Sequence, residues 1–533
     1  MKQDDTISRR TILKGAALVG GVSMLTGCER ASSLLTERMG EVIPDSVAES
    51  TSKQIDPAFH LLSRAGYGPW PGDLEHVKSI GTIAWINEQL DPDKIDDNAA
   101  NFRASRFETI HLDGGTCFEY KKEVLFNEVA RQSLIRSIYS KRQLLQVMVE
   151  FWSDHFNIDM SKGNCAYFKG SDDRTVIRKY ALGNFRDLLK ASAVSPAMLT
   201  YLDGNENKKS RPADIPNENY ARELMELHTL GVHGGYTQQD VSEVARCLTG
   251  WRIQDKWQRG KVYFAPELHD DGEKEVLGHR IAAGGKEKDL DSVLDIVCAH
   301  PSTAKHLSEK LVRRFVAENP PSGLVASAAS EFTRTNGDIK SVVRHILTSA
   351  EFAGAAGMKI KRPFQFIVSS LRAVGADTYA HNDVVDYLKS MGQCPFQYPT
   401  PDGYPDESAP WMAALLWRWN FALALTNNQI PSVKVDTRKL VTALGANDSA
   451  HPMAHPSDQH ALAHASVQHP PDQHPSDQHP SDQHALAQHL MPHFLGRKGT
   501  RLELEALSPS APAIISAPCL IGLILSSPAF QRC

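Results

Sequence analysis

Apolar side chains recur at helical intervals along most of this chain, and the clearest case lies in residues 216–251. Side chains three, four and seven positions apart share one face of an α-helix. One such face consists of Val241, Val244, Ala245 and Leu248. Thr237, followed three residues later by Asp240, has the pattern of a capping box. The pattern predicts a short helix that begins after Thr237 and ends at Gly250.

A second helix, predicted just before it, has one apolar and one polar face. Asn217 is a favourable N-cap for it, and Gly231 is a favourable C-terminal residue. The apolar face consists of Tyr220, Leu224 and Leu227. The polar face consists of Asn219, Arg222, Glu223, Glu226 and Thr229. An ordinary amphipathic helix with a solvated charged face explains this pattern. Alternatively, the polar face lines a cleft, where Glu223, Glu226 and a histidine hold a metal or move protons.

Two histidines are candidates for that role. His228 lies beyond the edge of the apolar face, and His155 ends a long helical region predicted over residues 123–156. His155 lies among aromatic residues, and a histidine in such a place is more often a hydrogen-bonded core residue than a ligand. The candidate catalytic residues are therefore Glu223, Glu226, His228 and His155, with a divalent metal as a candidate cofactor.

The rest of the chain predicts a mainly α fold, with a large multi-helix body and a small β-hairpin. Residues 261–264 and 275–277 are short apolar runs on either side of an Asp-Gly turn, which is the pattern of a hairpin. A helix is predicted over residues 411–425, and residues 511–528 predict a buried terminal helix with its lead-in. We expect packing inside the body, rather than stacking on sugars, for Trp411, Trp417 and Trp419.

Residues 447–493 differ in composition from the rest of the chain. Histidine recurs every four or five residues, and near-identical pentads occupy residues 470–474, 475–479 and 480–484. With few apolar side chains to bury, this His-rich tract predicts a disordered insertion. Imidazoles at this density are candidate ligands for copper, nickel or zinc, at His469, His474, His479 and His484. A drifting tandem repeat without a selected role is the alternative.

The first 28 residues predict export by the twin-arginine route. Arg9 and Arg10 lie in a segment similar to the twin-arginine signature, and the apolar run that follows ends in a segment that resembles a lipobox at Cys28. A short membrane anchor with a chance arginine pair is the alternative. Glu29 favours retention at the outer membrane by the same resemblance, and residues 29–55 predict a polar tether. We therefore expect a periplasmic protein anchored through lipid on Cys28.

Composition narrows the classes of protein further. A net charge of −5 gives no basic balance for binding nucleic acid. Hydrophobic residues at 41% and charged residues at 23% are typical of a soluble globular body. Cargo of the twin-arginine route folds in a reducing cytoplasm, so no disulfide should be required for folding. Of the eight cysteines, those besides Cys28 include no CxxC pair, which leaves a structural zinc site of the usual spacing unsupported.

Five segments together resemble the bacterial DUF1800 family, which is named for having no known function. They are residues 60–75, 151–157 (FWSDHFN), 177–204, 217–251 and 523–532. The resemblance starts near residue 56, which implies a helical family domain over residues 56–446 and its C-terminal helical segment over residues 494–533. By the same resemblance, a co-encoded exported protein of the DUF1501 family is the expected partner.

Two functions are open at this point. The first, which we favour from the sequence, is a non-enzymatic lipoprotein that helps assemble, export or present another envelope protein. The second is a metal-dependent envelope hydrolase that uses the candidate catalytic residues. The sequence contains no GxSxG, HExxH, phosphate-loop or dinucleotide motif that would decide between them.

Overall fold

The computed structural model describes residues 33–39, 42–45, 54–445, 480–507 and 516–533. Contacts divide the chain into a unit of residues 1–42 and a unit of residues 43–533. In the first unit, residues 33–38 are helical. The residues that lie outside the described ranges include Arg9, Arg10, Cys28, His469, His474 and His479. The roles predicted for these six residues stay predictions.

The larger unit is mainly α-helical, which confirms the predicted fold class, and its described residues form 25 α-helices. The first five are Pro57–Arg64, Asp73–Ile80, Thr82–Gln89, Asn98–Ala104 and Gly114–Cys117. The next eight are Lys122–Tyr139, Gln143–His155, Cys165–Asp172, Arg178–Tyr180, Phe185–Ala193, Pro196–Tyr201, Asn219–Glu226 and Gln238–Cys247. Seven more are Lys288–Ala299, Pro301–Phe315, Ser322–Arg334, Ile339–Leu347, Ala350–Ala353, Pro363–Ala373 and Asn382–Ser390. The last five are Leu415–Thr426, Thr437–Ala443, Pro480–Leu495, Arg501–Ala506 and Ala517–Ser526. None of the described helices is long and apolar enough to cross a membrane.

The core is one continuous cluster of apolar side chains within the larger unit. Lys122–Tyr139 and Gln143–His155 are the two helices of the long helical region predicted over residues 123–156, and the extended backbone of Ser140 separates them. Every side chain of the helix Pro363–Ala373 is buried, and this helix packs against Lys122–Tyr139. Seven of its eleven residues are apolar, and the side chains of Gln365, Ser369, Ser370 and Arg372 are hydrogen-bonded inside the core, so the whole helix can be covered.

Capping residues start the helices close to where the sequence places them. Thr237 and Asp240 form the predicted capping box, in which the Asp240 carboxylate accepts the Thr237 N–H at 2.8 Å and the Thr237 hydroxyl accepts the Asp240 N–H at 3.2 Å. The four apolar side chains predicted for that helix are all buried. Asp56 caps Pro57–Arg64 in the same way, accepting the N–H of Ala58 at 2.8 Å. Each bond satisfies an N–H that has no partner inside the helix.

Strands in the described residues form three two-stranded antiparallel sheets, and the predicted hairpin is wrong in its pairing. The pairs are Trp251–Ile253 with Val262–Phe264, Lys274–Val276 with His279–Ile281, and Asp377–Thr378 with Val433–Lys434. The two runs at residues 261–264 and 275–277 therefore belong to different hairpins. Leu277 and Gly278 have φ angles of 52° and 77°, as a tight type I′ turn requires, and this turn returns the chain before it can reach the earlier run.

The end of the His-rich tract is folded, which corrects the prediction of disorder up to residue 493. Pro480–Leu495 is a helix, with its side chains described from His484 onward. Its buried apolar side chains follow the helical spacing: Ala487, Leu490, Met491 and Phe494. His493 is also buried, and its Nε2 lies 2.8 Å from the carbonyl oxygen of Ala373. Composition alone did not reveal this apolar face, because histidine is so frequent among the residues around it.

Candidate functional site

The helix that carries the two candidate glutamates is shorter than predicted. It runs over Asn219–Glu226 instead of residues 217–231, and beyond its end the chain turns into the core. His228 is 1% exposed and Thr229 is fully buried. Thr229, predicted on the polar face, instead donates its hydroxyl hydrogen to the carbonyl oxygen of Leu224 at 2.7 Å. The polar face is therefore limited to side chains within the helix itself.

The structure brings the two candidate histidines together inside the core. His155 is 1% exposed, and its Nε2 lies 3.1 Å from the carbonyl oxygen of His228. Because a carbonyl oxygen only accepts, Nε2 carries the proton and Nδ1 keeps the lone pair. The two ring centroids are 6.0 Å apart, and Phe156 packs edge-on against His155 at 4.5 Å. Burial lowers the pKa of His155 well below its ordinary value and that of His228 to about 3, so both rings are neutral at physiological pH.

Glu223 and Glu226 lie apart from these histidines. Both side chains are partly exposed, and Glu226 accepts the hydroxyl hydrogen of Tyr236 at 3.1 Å. Nδ1 of His155 and both ring nitrogens of His228 have no partner among the described residues, so neither glutamate is bonded to them. Burial raises the pKa of Glu223, and the charge of Glu226 adds to this effect. The four predicted residues therefore occupy two places, with the histidines inside and the glutamates outside.

His155 lines a cavity of about 200 Å³ that the sequence patterns did not predict. Its walls are the facing parts of two helices, Gln143–His155 and Pro301–Phe315, one loop, and Arg362 at the start of the helix Pro363–Ala373. Gly403 in this loop has a φ of 75°, and a β-carbon there would lie 2.2 Å from the carbonyl oxygen of Asp154. Only glycine permits this close approach. The charged and polar lining consists of Asp154, His155, Lys310, Arg313, Arg314, Arg362, Asp402, Tyr404, Asp406 and Glu407.

Five charged side chains form a largely buried network beside the cavity. Arg314 pairs with Glu150 at 2.6 Å and with Asp406 at 3.4 Å. Arg362 pairs with Asp154 at 2.7 Å and also pairs with Glu150. Three carboxylates thus share two guanidinium groups. Burial raises the pKa of Asp154 to about 6; Arg362 opposes this shift, while the charges of Glu150 and Asp406 add to it. Asp154 consequently exchanges its proton close to neutral pH.

Lys310 lines the same cavity from the helix Pro301–Phe315. Within the described part of the chain, its ammonium group has no ion pair or hydrogen bond. Burial lowers the pKa of Lys310, and the charges of Asp406 and Asp154 oppose this shift without outweighing it. Such an amine loses its proton at a lower pH than an ordinary lysine. A proton donor and a proton acceptor therefore line one space, together with the unpartnered Nδ1 of His155.

A second buried polar group has a structural explanation. His269 Nε2 lies 3.1 Å from the carboxylate of Asp289, which also pairs with Lys274 at 2.7 Å. His269 Nδ1 lies 2.9 Å from the carbonyl oxygen of Thr249 and 3.0 Å from its hydroxyl. All four residues are buried, and they join the second hairpin to the helix that follows it. Their bonds are satisfied within the core, which is the expected arrangement for buried charges that support a fold.

The metal of the hydrolase hypothesis has no ligand set in the part of the chain that the structure describes. No three or more His, Cys, Asp or Glu side chains there are grouped so that they could hold a metal ion. His484, one of the four candidate ligands of the His-rich tract, lies in the helix Pro480–Leu495. The other three candidates lie outside the described residues.

The sequence indicated His155 as a candidate site residue, but Asp154 and Lys310, which share its cavity, were not among the predicted site residues. Asp154 directly precedes His155 in the segment FWSDHFN, and a carboxylate beside a histidine at the end of an apolar helix is a signal that could have been used. Lys310 has no such signal, because a cation in the second half of a helix is already explained by the helix dipole.

Comparison with known proteins identifies one family. A family model described as a protein of unknown function (DUF1800) matches residues 60–532. No curated protein and no solved structure matches the chain.

Proposed function

The chain belongs to the DUF1800 family, and because the description of that family states no activity, we propose a function from the cavity. The protein is an enzyme that applies general acid–base chemistry, most simply hydrolysis, to a small polar substrate. One observation carries the proposal: Asp154, His155 and Lys310 line one cavity, with the pKa of Asp154 raised and that of Lys310 lowered. Shifts of this kind in a concave polar site are typical of catalytic acids and bases.

Each of the three side chains has a role that its surroundings support. Asp154, whose pKa is raised to about 6, is ionised for most of the time near neutral pH and acts as the general base that takes a proton from water. Lys310, whose lowered pKa makes its proton easier to give up than that of an ordinary lysine, acts as the general acid. Nδ1 of His155 accepts a hydrogen bond from that water or from the substrate, because the proton on Nε2 is donated to the carbonyl of His228.

The predicted export signal places this enzyme in the bacterial envelope. Arg9 and Arg10 would direct the folded chain through the twin-arginine route, and lipid on Cys28 would hold it at the periplasmic face of a membrane, with the outer membrane favoured. A thioether-linked diacylglycerol together with an N-acyl chain anchors firmly, whereas one acyl chain alone is marginal.

A second candidate is an accessory protein that works with a co-encoded exported protein of the DUF1501 family. The carboxylate of Glu223 favours it, since this partly exposed group has no hydrogen bond or ion pair within the described ranges. In this proposal Glu223 and Glu226 form a docking face for a cation of the partner rather than part of an active site.

The enzyme proposal is tested with the mature chain and three probes: p-nitrophenyl acetate, p-nitrophenyl phosphate and a p-nitrophenyl glycoside. Asp154→Asn and Lys310→Met should each lower turnover by about 10²–10⁴-fold, the usual contribution of an acid or base. Lys305→Met changes an exposed lysine on the same helix and should leave turnover unchanged. Equal turnover in all variants, or no turnover of any probe, contradicts the proposal.

A further inference from the structure

One helix near the C-terminus turns apolar side chains towards solvent. The segment Ala409–Ala414 leads directly into the helix Leu415–Thr426. Met412, Leu415, Leu416 and Trp419 follow the i, i+3, i+4, i+7 spacing, with exposed fractions of 47%, 38%, 62% and 49%. Trp417, beside them, is 43% exposed. These five side chains form what we call the outer apolar face. The tryptophan Trp411, for which packing is also predicted, is buried, whereas Trp417 and Trp419 are only about half-buried.

The opposite side of this helix is fixed in the core, so the outer apolar face cannot be buried by rotation. Phe421 and Leu425 are 0% exposed. Arg418 is 1% exposed and donates to the carboxamide oxygen of Gln531 and to the carbonyl oxygen of Lys361, each at 2.8 Å. Rotation would bury apolar groups but would also expose these residues and break both bonds of a buried guanidinium group.

The segment that carries the outer apolar face has no exposed charge over a long stretch of sequence. Between residues 408 and 433, Arg418 is the single Asp, Glu, Lys or Arg, and it points inward. The helix Ala517–Ser526, which packs alongside, has none of these residue types. The indole N–H of Trp419 donates to the carbonyl oxygen of Ser526 at 3.1 Å, which ties the two helices together.

We propose that the outer apolar face binds the surface of a phospholipid bilayer. An uncharged surface of tryptophan and aliphatic side chains suits the boundary between lipid headgroups and acyl chains. The apolar ring of the indole can contact the acyl chains there, while its polar N–H stays among the headgroups. A helix that lies in this plane buries one apolar face and keeps its other face out of the lipid. Here the other face is the core of the protein.

The predicted lipid anchor supports the bilayer as the occupant of this face. The 28 residue-to-residue steps from Cys28 to Asp56 can span at most roughly 100 Å, so a chain lipidated at Cys28 keeps its body near the membrane. Because the anchor holds the bilayer at a high effective concentration near the body, even a weak apolar contact between the two is formed for much of the time. The anchor keeps the bilayer close to the protein. The proposed contact between the outer apolar face and lipid requires neither the anchor nor the chemistry proposed for the cavity.

The experiment is flotation of the mature polypeptide, residues 28–533, with vesicles of phosphatidylethanolamine and phosphatidylglycerol. Cys28→Ala removes the acyl chains, so any binding comes from the body. We expect this protein to float with the vesicles. Adding Leu416→Asn and Trp417→Asn should reduce the bound fraction by about tenfold or more, since buried apolar groups drive interfacial binding. Each single substitution should give part of this loss.

The matched control replaces Ile215 and Trp257 with Asn. These two residues are 89% and 88% exposed and lie outside the outer apolar face, so the control removes the same residue classes from elsewhere on the surface. The control should float as the parent does. Absence of flotation by the parent, or equal loss in the control, overturns the proposal. Concentration-dependent dimerisation that the Leu416 and Trp417 substitutions abolish, without vesicle binding, also overturns it and assigns the face to a second copy of the chain.

Discussion

At the scale of single residues, the cavity holds charges that burial disfavours. The fold tolerates them because Glu150, Asp154 and Asp406 share Arg314 and Arg362, and breaking one member of such a network leaves another charge without compensation. The ionisation of these carboxylates is therefore sensitive to pH, and the titration of Asp154 should be the easiest to follow.

We expect the stability of Asp154→Asn, relative to wild type, to rise with pH. The raised pKa means that ionisation of Asp154 destabilises the fold between its ordinary value of 3.8 and about 6. The asparagine variant has no such ionisation, so the difference should grow across this window by at most about 3 kcal/mol and then stay level. The substitution also removes the ion pair with Arg362. This loss should shift the stability difference by a similar amount at every pH, so it does not change the trend.

Urea unfolding of both proteins from acidic to mildly alkaline pH measures that difference. Asp187→Asn is the control, because Asp187 is exposed and its stability difference from wild type should stay small at every pH. A stability difference between Asp154→Asn and wild type that stays constant with pH would show that the pKa of Asp154 is not raised in the folded protein.

Glu223→Gln should change the free energy of unfolding by less than about 0.5 kcal/mol, or raise it slightly, because burial and the charge of Glu226 already disfavour the ionised form. Glu226→Gln should cost about 0.5–1.5 kcal/mol, since it weakens the bond from Tyr236. Leu224→Ala, at a fully buried position of the same helix, should cost about 2–5 kcal/mol.

Thermal denaturation of these three variants gives the stabilities, and the cellular level of the proposed partner, a co-encoded exported protein, gives a functional readout. A stable Glu223→Gln protein with a reduced partner level supports the docking role of this helix. Unchanged partner levels in both glutamate variants would leave the helix as a structural element.

At the scale of elements, short-range patterns predicted starts and faces well and ends poorly. The capping box at Thr237 was visible because its partners are three residues apart. The helix beginning at Asn219 ended early because buried His228 and Thr229 draw the chain inward, which no local propensity encodes. The strand pairing was wrong because runs of three residues satisfy several registers equally.

Gly403→Ala should disturb the loop that closes the cavity. Its positive φ alone should cost about 1 kcal/mol, and the clash of a β-carbon with the backbone of Asp154 should raise the total to about 2–4 kcal/mol. Gly392→Ala separates these effects, since Gly392 has a φ of 84° with nothing near its missing β-carbon. Urea unfolding should therefore show a larger loss for Gly403→Ala, and probe turnover should fall only in that variant.

Leu490→Ala should destabilise the protein by about 2–5 kcal/mol, because Leu490 is fully buried in the helix Pro480–Leu495. Deletion of residues 447–479, which lie outside the described ranges, should leave the melting temperature nearly unchanged, as the sequence predicts for a tract with little apolar surface. Deletion through residue 493 should lower it strongly. Equal melting temperatures after both deletions would mean that the helix contributes nothing to the core.

At the scale of the whole molecule, the fold class followed from helical periodicity, but the cavity did not. Asp154, Lys310 and Asp402 come from three elements that are far apart in sequence. Periodicity indicates which face of each helix is buried and not which helices meet. The exposure of Trp417 could not be predicted for a related reason. An apolar side chain favours packing, but the sequence does not indicate which part of the protein would cover it.

The cysteines lead to a prediction for the molecule as a whole. All seven that the structure describes are free. Burial raises the pKa of Cys117 to about 11 and that of Cys165 to about 12, which keeps these thiols protonated and unreactive. Dithiothreitol should therefore leave the melting temperature unchanged, and the buried thiols should titrate slowly in the native protein and fast in denaturant. A lower melting temperature under reduction would reveal a disulfide that the mature protein needs.

The join between the repeat and the core has a consequence for how this gene can vary. The last pentad, residues 480–484, forms the first turn of a core-packed helix, and its sequence Pro-Ser-Asp-Gln-His is the same as that of the pentad before it. When replication slippage adds or removes whole pentads, the final copy still supplies the same helix start. Strains should therefore differ in repeat number while keeping an identical body, and the repeat is a natural position for inserting a tag or a reporter domain.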